Sequence, residues 1–515
     1  MTGDDAGITL GRKALYSAIV LAVFLVFAEL ICLAWERFDP LPASALPKSA
    51  QKLPPRMEGE IRILCLGGST VAGYPEPSVG FVSQLQAYLE ILCPGRLVRL
   101  VNYAVNGQPS TYVVRKLHAT LGESGADAVI VLTGHNEFVL SQDFSDEQLR
   151  SIYAIQESLY RWAVVRRAQR LLVGYYLARR RDVVTGESIG RVDRHSEMFR
   201  ERVKIFQTNI DLLVGLTKGA GVPLLLCTAP ANVADWLPSR EDGAPGAGAG
   251  GCDSALAELE QPLGAKAWEQ VQRLTVEALA DCPENAMLHY AAGKAAEGLG
   301  QREEARRHLL LALDLDRLPG RTRSEFNDKI RRQSGAPGVL VVDAAAVLGA
   351  LSPSGLPGWE TMADACHPNP QGSYLIATAL ADTLAEAGVI DFEPPASARV
   401  RLDEFLGGEG RDTDWTRYLL TRARAAMSPQ TRYYSAAEKN LKEAIERDPD
   451  NWEVVAAVAT LLLQTGNVER GMERLRQAVR LKGSEIDLDD RQRVPFLKEA
   501  LEAAGMGAAG AVGKD

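Results

Sequence analysis

The sequence predicts an α/β protein: a flavodoxin-like, three-layer, doubly wound parallel sheet with an all-helical insert and C-terminal helical repeats. Three observations carry this. Short apolar runs alternate with helical stretches from Ile61 onward, which implies parallel strands covered on both faces. A Gly/Ala-rich linker, APGAGAGG, interrupts that rhythm before a long helical stretch. A second helical stretch fills the C-terminal part of the chain.

The expected strands are Ile61–Leu66, Leu97–Asn102, Ala128–Leu132, Val222–Thr228 and Val339–Asp343, each short, apolar and bounded by turn residues. Helices are expected at Gly80–Leu92 and Arg194–Lys218. In such a sheet the sites lie at the carboxyl ends of the strands.

Ahead of this domain, Ala14 to Trp35 reads ALYSAIVLAVFLVFAELICLAW, about the 20 residues a membrane-spanning helix needs. Only Glu29 interrupts it, and Trp35 sits where an interfacial aromatic belongs. Arg12 and Lys13 precede it, so the positive-inside rule puts the N-terminus in the cytoplasm and the bulk of the chain outside. A cleaved signal peptide is the rival, but the run is long for one and no small-x-small site ends it. Ile31 before Cys32 is too bulky for a lipoprotein cleavage site. Glu36 to Arg56, with its prolines, reads as a tether.

The bulk composition excludes several classes. A net charge of −9 with pI near 5.5 argues against nucleic acid as a partner. Seven cysteines in 515 residues do not make a disulfide scaffold. The six histidines (118, 135, 195, 289, 308, 367) are scattered and no Cys/His spacing resembles a zinc site, so no metal centre is expected. Cys252 and Cys282 flank the insert's first helix and can pair in an oxidising compartment.

The chemistry centres on "ILCLGGSTVAG", where Ser69 follows an apolar strand in a turn of small residues. Alone, that turn is a tight loop, a helix start, a phosphate cradle or a nucleophile; the GxxxxGK[ST] pattern of a phosphate loop is absent. A serine needs a base and oxyanion donors to act as a nucleophile. Asp364 and His367 in DACHPN are spaced so that the carboxylate can reach the imidazole and fix its tautomer. Asn136 follows strand three in TGHNEF, and Gly107 follows strand two in NYAVNGQPS. All these turns belong at one edge of the sheet. Taken singly, Asn136 is also a strand-end cap and DxxH a helix cap or surface ion pair. Cys366, beside His367, is read as a packing residue.

The blocks GGST (67–70), VNG (105–107), GHNE (134–137) and DACH (364–367) resemble, in order and strand context, those of the GDSL/SGNH hydrolase superfamily. The resemblance covers roughly residues 60 to 390 with the helical insert removed. It implies Ser69 as nucleophile, His367 as general base and Asp364 as its orienting carboxylate. It also implies an oxyanion hole of the Ser69 and Gly107 backbone N–H groups and the Asn136 amide, with no cofactor and no metal. Two departures stand out: Gly68 replaces an aspartate before the serine, and Glu137 replaces one after the asparagine.

The helical stretches have their own grammar. In Ala286–Asp316, Gly293, Gly300, Ala305, Leu309 and Ala312 fall where a tetratricopeptide repeat places its packing residues. Ala437, Leu441, Ala444 and Pro449, then Trp452–Leu481 with Gly466, Leu475 and Ala478, resemble further repeats. Neither group clearly has three repeats, so both are expected to pack on the catalytic domain or on each other. A protein partner for the repeats is one expectation. Arg317, Arg321, Arg323 and Asn327 follow the insert's repeat and read either as a loop cap or as a binding site for an anionic part of the substrate. The arginine-rich stretch 158–181 is either a solvated surface helix or an interfacial helix on anionic lipid.

The expected organisation is a cytoplasmic stub and signal anchor (1–36), a linker (37–58) and a hydrolase domain in two parts (59–236 and 336–392). A helical insert (237–335) separates those parts, and a C-terminal helical domain (393–515) follows. The expected function is a membrane-anchored serine esterase acting on an acyl or acetyl ester outside the cytoplasm. The rivals are an O-acyltransferase modifying a cell-envelope glycan and an inactive repeat-bearing scaffold.

Overall fold

The computed structural model describes residues 10–38, 53, 55–138, 192–239, 249–317, 320–395, 411–427, 434–488, 490 and 493–505, with scattered positions between 151 and 168. It divides into two compact units, Met1–Pro54 with Glu147–Thr185, and Pro55–Asp146 with Gly186–Asp515.

The first unit contains α1 (Leu10–Phe38). Within it, Leu15–Trp35 has a mean hydropathy of 2.7 and is the one helix among the described residues long and apolar enough to cross a membrane. Glu29, the charge that interrupts this run, accepts hydrogen bonds from the backbone N–H groups of Ala163 and Val164 at 2.8 and 2.9 Å. The guanidinium of Arg167 lies 4.7 Å from the centre of the Trp35 ring. Arg161, Arg166, Arg170 and Arg179 to Arg181 of the arginine-rich stretch lie outside the described residues.

The second unit is built on β1 (Ile61–Gly67), β2 (Val98–Asn102), β3 (Ala128–Leu132), β4 (Leu224–Cys227) and β5 (Val339–Val342). All pair in parallel, in the order β2-β1-β3-β4-β5. That is the flavodoxin-like order, with its switch point between β1 and β3. Of the inner strands, β3 and β4 are buried at every position, which is why AVIVL and LLLC are unbroken apolar runs. On β1 the run admits one charge: buried Arg62 donates to Glu60 at 2.7 Å and to the Ser124 carbonyl at 3.1 Å. The edge strands β2 and β5 are only partly covered.

Helices α2 (Ser69–Ala72), α3 (Phe81–Leu92), α4 (Ser110–Ser124) and α5 (Glu197–Ala220) connect the first four strands. Two helices start later than expected because caps set them. Gly80 is the extended N-cap of α3 rather than its first residue. Ser196 caps α5 by accepting from the Phe199 N–H, so that helix starts at Glu197.

Among the described residues, four helices stand between β4 and α10 (Ser324–Arg331): α6 (Ala249–Gly264), α7 (Trp268–Asp281), α8 (Ala286–Gly298) and α9 (Arg302–Leu315). A Cys252–Cys282 disulfide ties α6 to the end of α7. Tyr290, Leu309 and Leu313 of this insert share a buried cluster with Ala231 and Val233 of the loop after β4 and with Leu356, which follows the helix Ala344–Gly349, so the insert is seated on the α/β domain.

After β5 come α11 (Ala344–Gly349) and α12 (Pro370–Glu386). The C-terminal part holds α13 (Arg411–Ala426), α14 (Tyr434–Arg447), α15 (Trp452–Gln464), α16 (Val468–Lys482) and α17 (Leu497–Ala503). Trp415, Tyr418 and Leu419 of α13 and Leu441 of α14 belong to the same core cluster as Ile63, Ile130 and Leu380. The C-terminal helices therefore pack on the sheet domain, while α15 to α17 close a second cluster of their own.

Candidate active site

Ser69 is the first residue of α2, one residue beyond β1 after the N-cap Gly68, where the leading N–H groups of a helix lack intrahelical partners. Two side chains pin this short helix: Asn102 donates to the Val71 carbonyl at 2.7 Å, and the Thr70 hydroxyl donates to the Cys366 carbonyl at 3.3 Å. The second contact brings the DACH loop to the serine.

That loop is closed by an antiparallel bridge between Met362 and Pro368 and by a hydrogen bond from the Ala363 N–H to the His367 carbonyl at 2.9 Å. Inside it, Asp364 Oδ1 accepts from the backbone N–H groups of Cys366 and His367 at 2.9 and 2.7 Å. The carboxylate is thus held by its own turn, with His367 Nδ1 at 2.9 Å from Oδ2. The opposite ring nitrogen, Nε2, lies 2.7 Å from Ser69 Oγ. Ser69, His367 and Asp364 form a continuous hydrogen-bonded chain from residues almost three hundred positions apart (|i−j| = 298 for Ser69 and His367).

Burial alone pushes the His367 pKa down, but the Cys366 sulfur, 3.4 Å from Nδ1, and Tyr74 outweigh it and leave the imidazole above its ordinary value. The Tyr74 ring lies 5.6 Å from the imidazole and is well exposed, forming one wall beside the serine.

The remaining turns meet the same edge. A Cβ at Gly68 would sit 2.6 Å from Asn136 Nδ2, so the absence of a side chain there is what lets the Asn136 amide lie over the serine turn. Asn136 Nδ2 also donates to the Gln108 carbonyl at 3.2 Å, linking the β3 turn to the β2 turn. Gly107 has φ +75°, a left-handed conformation that suits glycine. Glu137 clamps the two turns: its carboxyl accepts from the Ser110 N–H at 2.9 Å and the Ser110 hydroxyl at 2.7 Å. Burial pushes the pKa of Glu137 up to about 7. His135 faces inward; its Nδ1 accepts from the Thr322 N–H at 3.2 Å, and burial pushes its pKa down to about 3.

The reading of Arg317, Arg321, Arg323 and Asn327 as a substrate-binding group is corrected by their partners. Arg321 is buried and donates to the Asn232 carbonyl at 2.9 Å and to Asp316 at 2.7 Å. Arg323 is buried and donates to the carbonyls of Leu313 and Asp316. Asn327 brackets Ala229, accepting from its N–H at 2.8 Å and donating to its carbonyl at 3.0 Å. Arg317 pairs with Asp193 at 3.0 Å. Arg321 and Asn327 fasten the end of the insert to the loop after β4, Arg323 ties that end to itself, and Arg317 ties it to the segment before α5.

One neighbour of the site was not legible in the motifs. Arg422 of α13 is buried with its guanidinium against the Asp364 carboxylate, and Nη2 is 2.8 Å from His367 Nδ1. No spacing rule connects a C-terminal helix to a loop that follows β5. Asp364, Cys366 and His367 also lie close enough together to be a metal-ligand group, but Asp364 and His367 are already bonded to each other.

A Ser–His–Asp chain at the carboxyl ends of a flavodoxin-like sheet is serine-hydrolase geometry. Solved structures similar to this chain include GDSL-type lipolytic proteins and esterases. One, assigned to the lipolytic G-D-S-L family from Desulfitobacterium hafniense DCB-2, shares 10% identity over 63% of this chain and 99% of its own, with a TM-score of 0.29. Another, the acetylxylan esterase Axe2 from Geobacillus stearothermophilus, shares 16% identity over 64% of this chain and 97% of its own, with a TM-score of 0.25. A third, the α/β hydrolase LAE5 from the metagenome of Lake Arreo, shares 16% identity over 64% of this chain and 96% of its own, with a TM-score of 0.28. A family model described as a tetratricopeptide repeat matches residues 433–486. No curated protein matches the chain.

Proposed function

We propose that this chain is a membrane-anchored serine esterase of SGNH type that cleaves an acyl ester outside the cytoplasm. The observation that carries the reading is the 2.7 Å contact of Ser69 Oγ with His367 Nε2, the other nitrogen of that ring being held by Asp364.

In this reading His367 Nε2 takes the Ser69 hydroxyl proton as Oγ attacks the ester carbonyl. The Ser69 and Gly107 N–H groups and the Asn136 amide receive the developing oxyanion. His367 passes the proton to the leaving alcohol, leaving an acyl-Ser69. Water then adds to that acyl group, losing a proton to His367, and the carboxylic acid departs as Ser69 is reprotonated.

Leu15–Trp35 supports anchoring, and Arg12 and Lys13 before it support an outward-facing catalytic domain. The Cys252–Cys282 disulfide supports an oxidising compartment.

The test is turnover of a short-chain aryl ester together with labelling by a fluorophosphonate. Wild type is expected to show both, and Ser69→Ala neither, with unchanged circular dichroism. Labelling that persists in Ser69→Ala would sink the assignment.

A further inference from the structure

Glu29 is the one charge inside the apolar run Leu15–Trp35, and the ester chemistry gives it no role. From Leu15 to Phe27 every side chain of α1 is exposed, whereas Ala28, Glu29 and Cys32 are partly covered. Cys32 follows Ala28 and Glu29 by one helical turn, and Trp35 follows Cys32 by another, so these residues share one face.

The same segment meets this face at both levels. Glu29 accepts from the Ala163 and Val164 N–H groups at 2.8 and 2.9 Å, and the buried Arg167 places its guanidinium 4.7 Å from the centre of the Trp35 ring. The chain is helical at Ser158 and Leu159, bends at Trp162, and is helical again at Ala163–Val165. At the bend the Trp162 N–H donates to the Leu159 carbonyl at 3.0 Å. Ala163 and Val164 therefore carry the leading N–H groups of a new helical turn, which lack partners inside it.

Glu29 stands about 9 Å below Trp35 along the axis of α1. With Trp35 at the bilayer interface, that depth lies within the hydrocarbon. An unpaired carboxylate and unpaired backbone N–H groups are both costly there, and here each satisfies the other. From Glu29 to Trp35 on α1, and from Ala163 to Arg167 beside it, both chains rise towards the interface. The residues up to Asp146 and from Gly186 belong to one compact unit, so the intervening chain enters and leaves the bilayer from the same side.

Ile155, Leu159 and Trp162, spaced four and three residues apart, are 57%, 47% and 50% exposed. Large apolar side chains turned outwards next to a membrane-length helix have lipid as their natural surroundings.

We propose that the segment from Ile155 to Ala168 is a re-entrant element of the leaflet on the α/β domain's side. It dips beside α1, turns at Trp162 with Glu29 capping the turn, and presents Ile155, Leu159 and Trp162 to lipid acyl chains. Its partner is the bilayer itself. This placement rests on Leu15–Trp35 as the membrane span and is independent of the ester chemistry.

The test places p-benzoylphenylalanine at single positions of the full-length protein in phosphatidylcholine–phosphatidylglycerol vesicles, irradiates them, and reads lipid adducts by mass spectrometry. Leu25, exposed on α1, reports the span, and Leu212, exposed on α5, reports the aqueous surface. Adducts are expected at positions 155, 159, 162 and 25, and none at 212. Adducts at 25 but at none of 155, 159 and 162 would overturn the proposal and leave the anchor standing. A crosslinked second copy in place of lipid at those three positions would overturn it as well. No adduct at 25 would remove the anchor, and the proposal with it. Glu29→Ala deletes the cap while making α1 more apolar, so the yield at 159 and 162 should fall severalfold while that at 25 holds. Glu29→Gln keeps an acceptor oxygen and should retain part of the yield. Equal yields in wild type and Glu29→Ala would show that Glu29 does not hold the segment, against the proposal.

Discussion

Arg422 and Asp364 are in direct contact, although one belongs to a C-terminal helix and the other to the loop that orients His367. The guanidinium also lies 5.4 Å from the centre of the Tyr74 ring. Burial pushes the Arg422 pKa down, to about 10, which leaves it charged at neutral pH. The Asp364 carboxylate thus serves two cations in turn: Arg422 always, and His367 whenever it holds a second proton. Tyr418 and Asn440 reinforce the seat, donating to the carbonyls of Pro368 and Ala363 on either side of that loop. The C-terminal helices are part of the candidate site's frame.

Arg422 acts here as a positioning residue. Arg422→Ala removes a positive charge beside His367, so protonated His367 becomes easier to form and its pKa rises. Because the free enzyme needs neutral His367, the acid limb of the kcat/KM profile should move to higher pH. At neutral pH kcat/KM should fall roughly tenfold for each unit by which the His367 pKa rises. Arg422→Lys should recover part of the limb position. An unmoved profile in Arg422→Ala would mean that the guanidinium serves packing alone.

Gly68 tests the oxyanion assignment. A Cβ there would meet Asn136 Nδ2 at 2.6 Å, so Gly68→Ala should push the amide aside without disturbing the buried strand before it. Loss of one oxyanion donor costs about 10²- to 10³-fold in kcat. KM should change little, and fluorophosphonate labelling should slow but persist, since Ser69 and His367 remain. Equal kcat in wild type and Gly68→Ala would remove Asn136 from the proposed hole.

Cys366 sets the third prediction. Its sulfur near Nδ1 helps hold the His367 pKa above the ordinary range against the downward pull of burial. Activity should therefore rise with pH through a value above that of an ordinary histidine. Cys366→Ala removes the upward influence, so the acid limb of kcat/KM should shift to lower pH while the plateau at high pH stays the same. A shift in the opposite direction would contradict the electrostatic picture.

Where elements depend on local pattern, the sequence reading and the structure agree closely. AVIVL and LLLC read as strands covered on both faces, and both are inner strands of the sheet. The four motif blocks follow strand ends, and strand order brings such ends together at one edge. Asp364 and His367 are three residues apart, so their contact is a property of one turn. Arg321, Arg323 and Asn327 were misleading for the opposite reason. A basic loop near a site reads as a ligand clamp until its carbonyl and carboxylate partners are located, here at the end of α9 and in the loop after β4.

The sequence by itself determined the apolar periodicity, the serine turn, the Asp–His turn and the membrane-length N-terminal helix, because each is written in neighbouring residues. Tertiary structure alone decided that Arg422 meets Asp364, that Gly68 makes room for Asn136, and that Glu29 meets the backbone of Ala163. Those contacts depend on how finished elements pack. Packing geometry follows from the shape of whole faces rather than from any spacing along the chain.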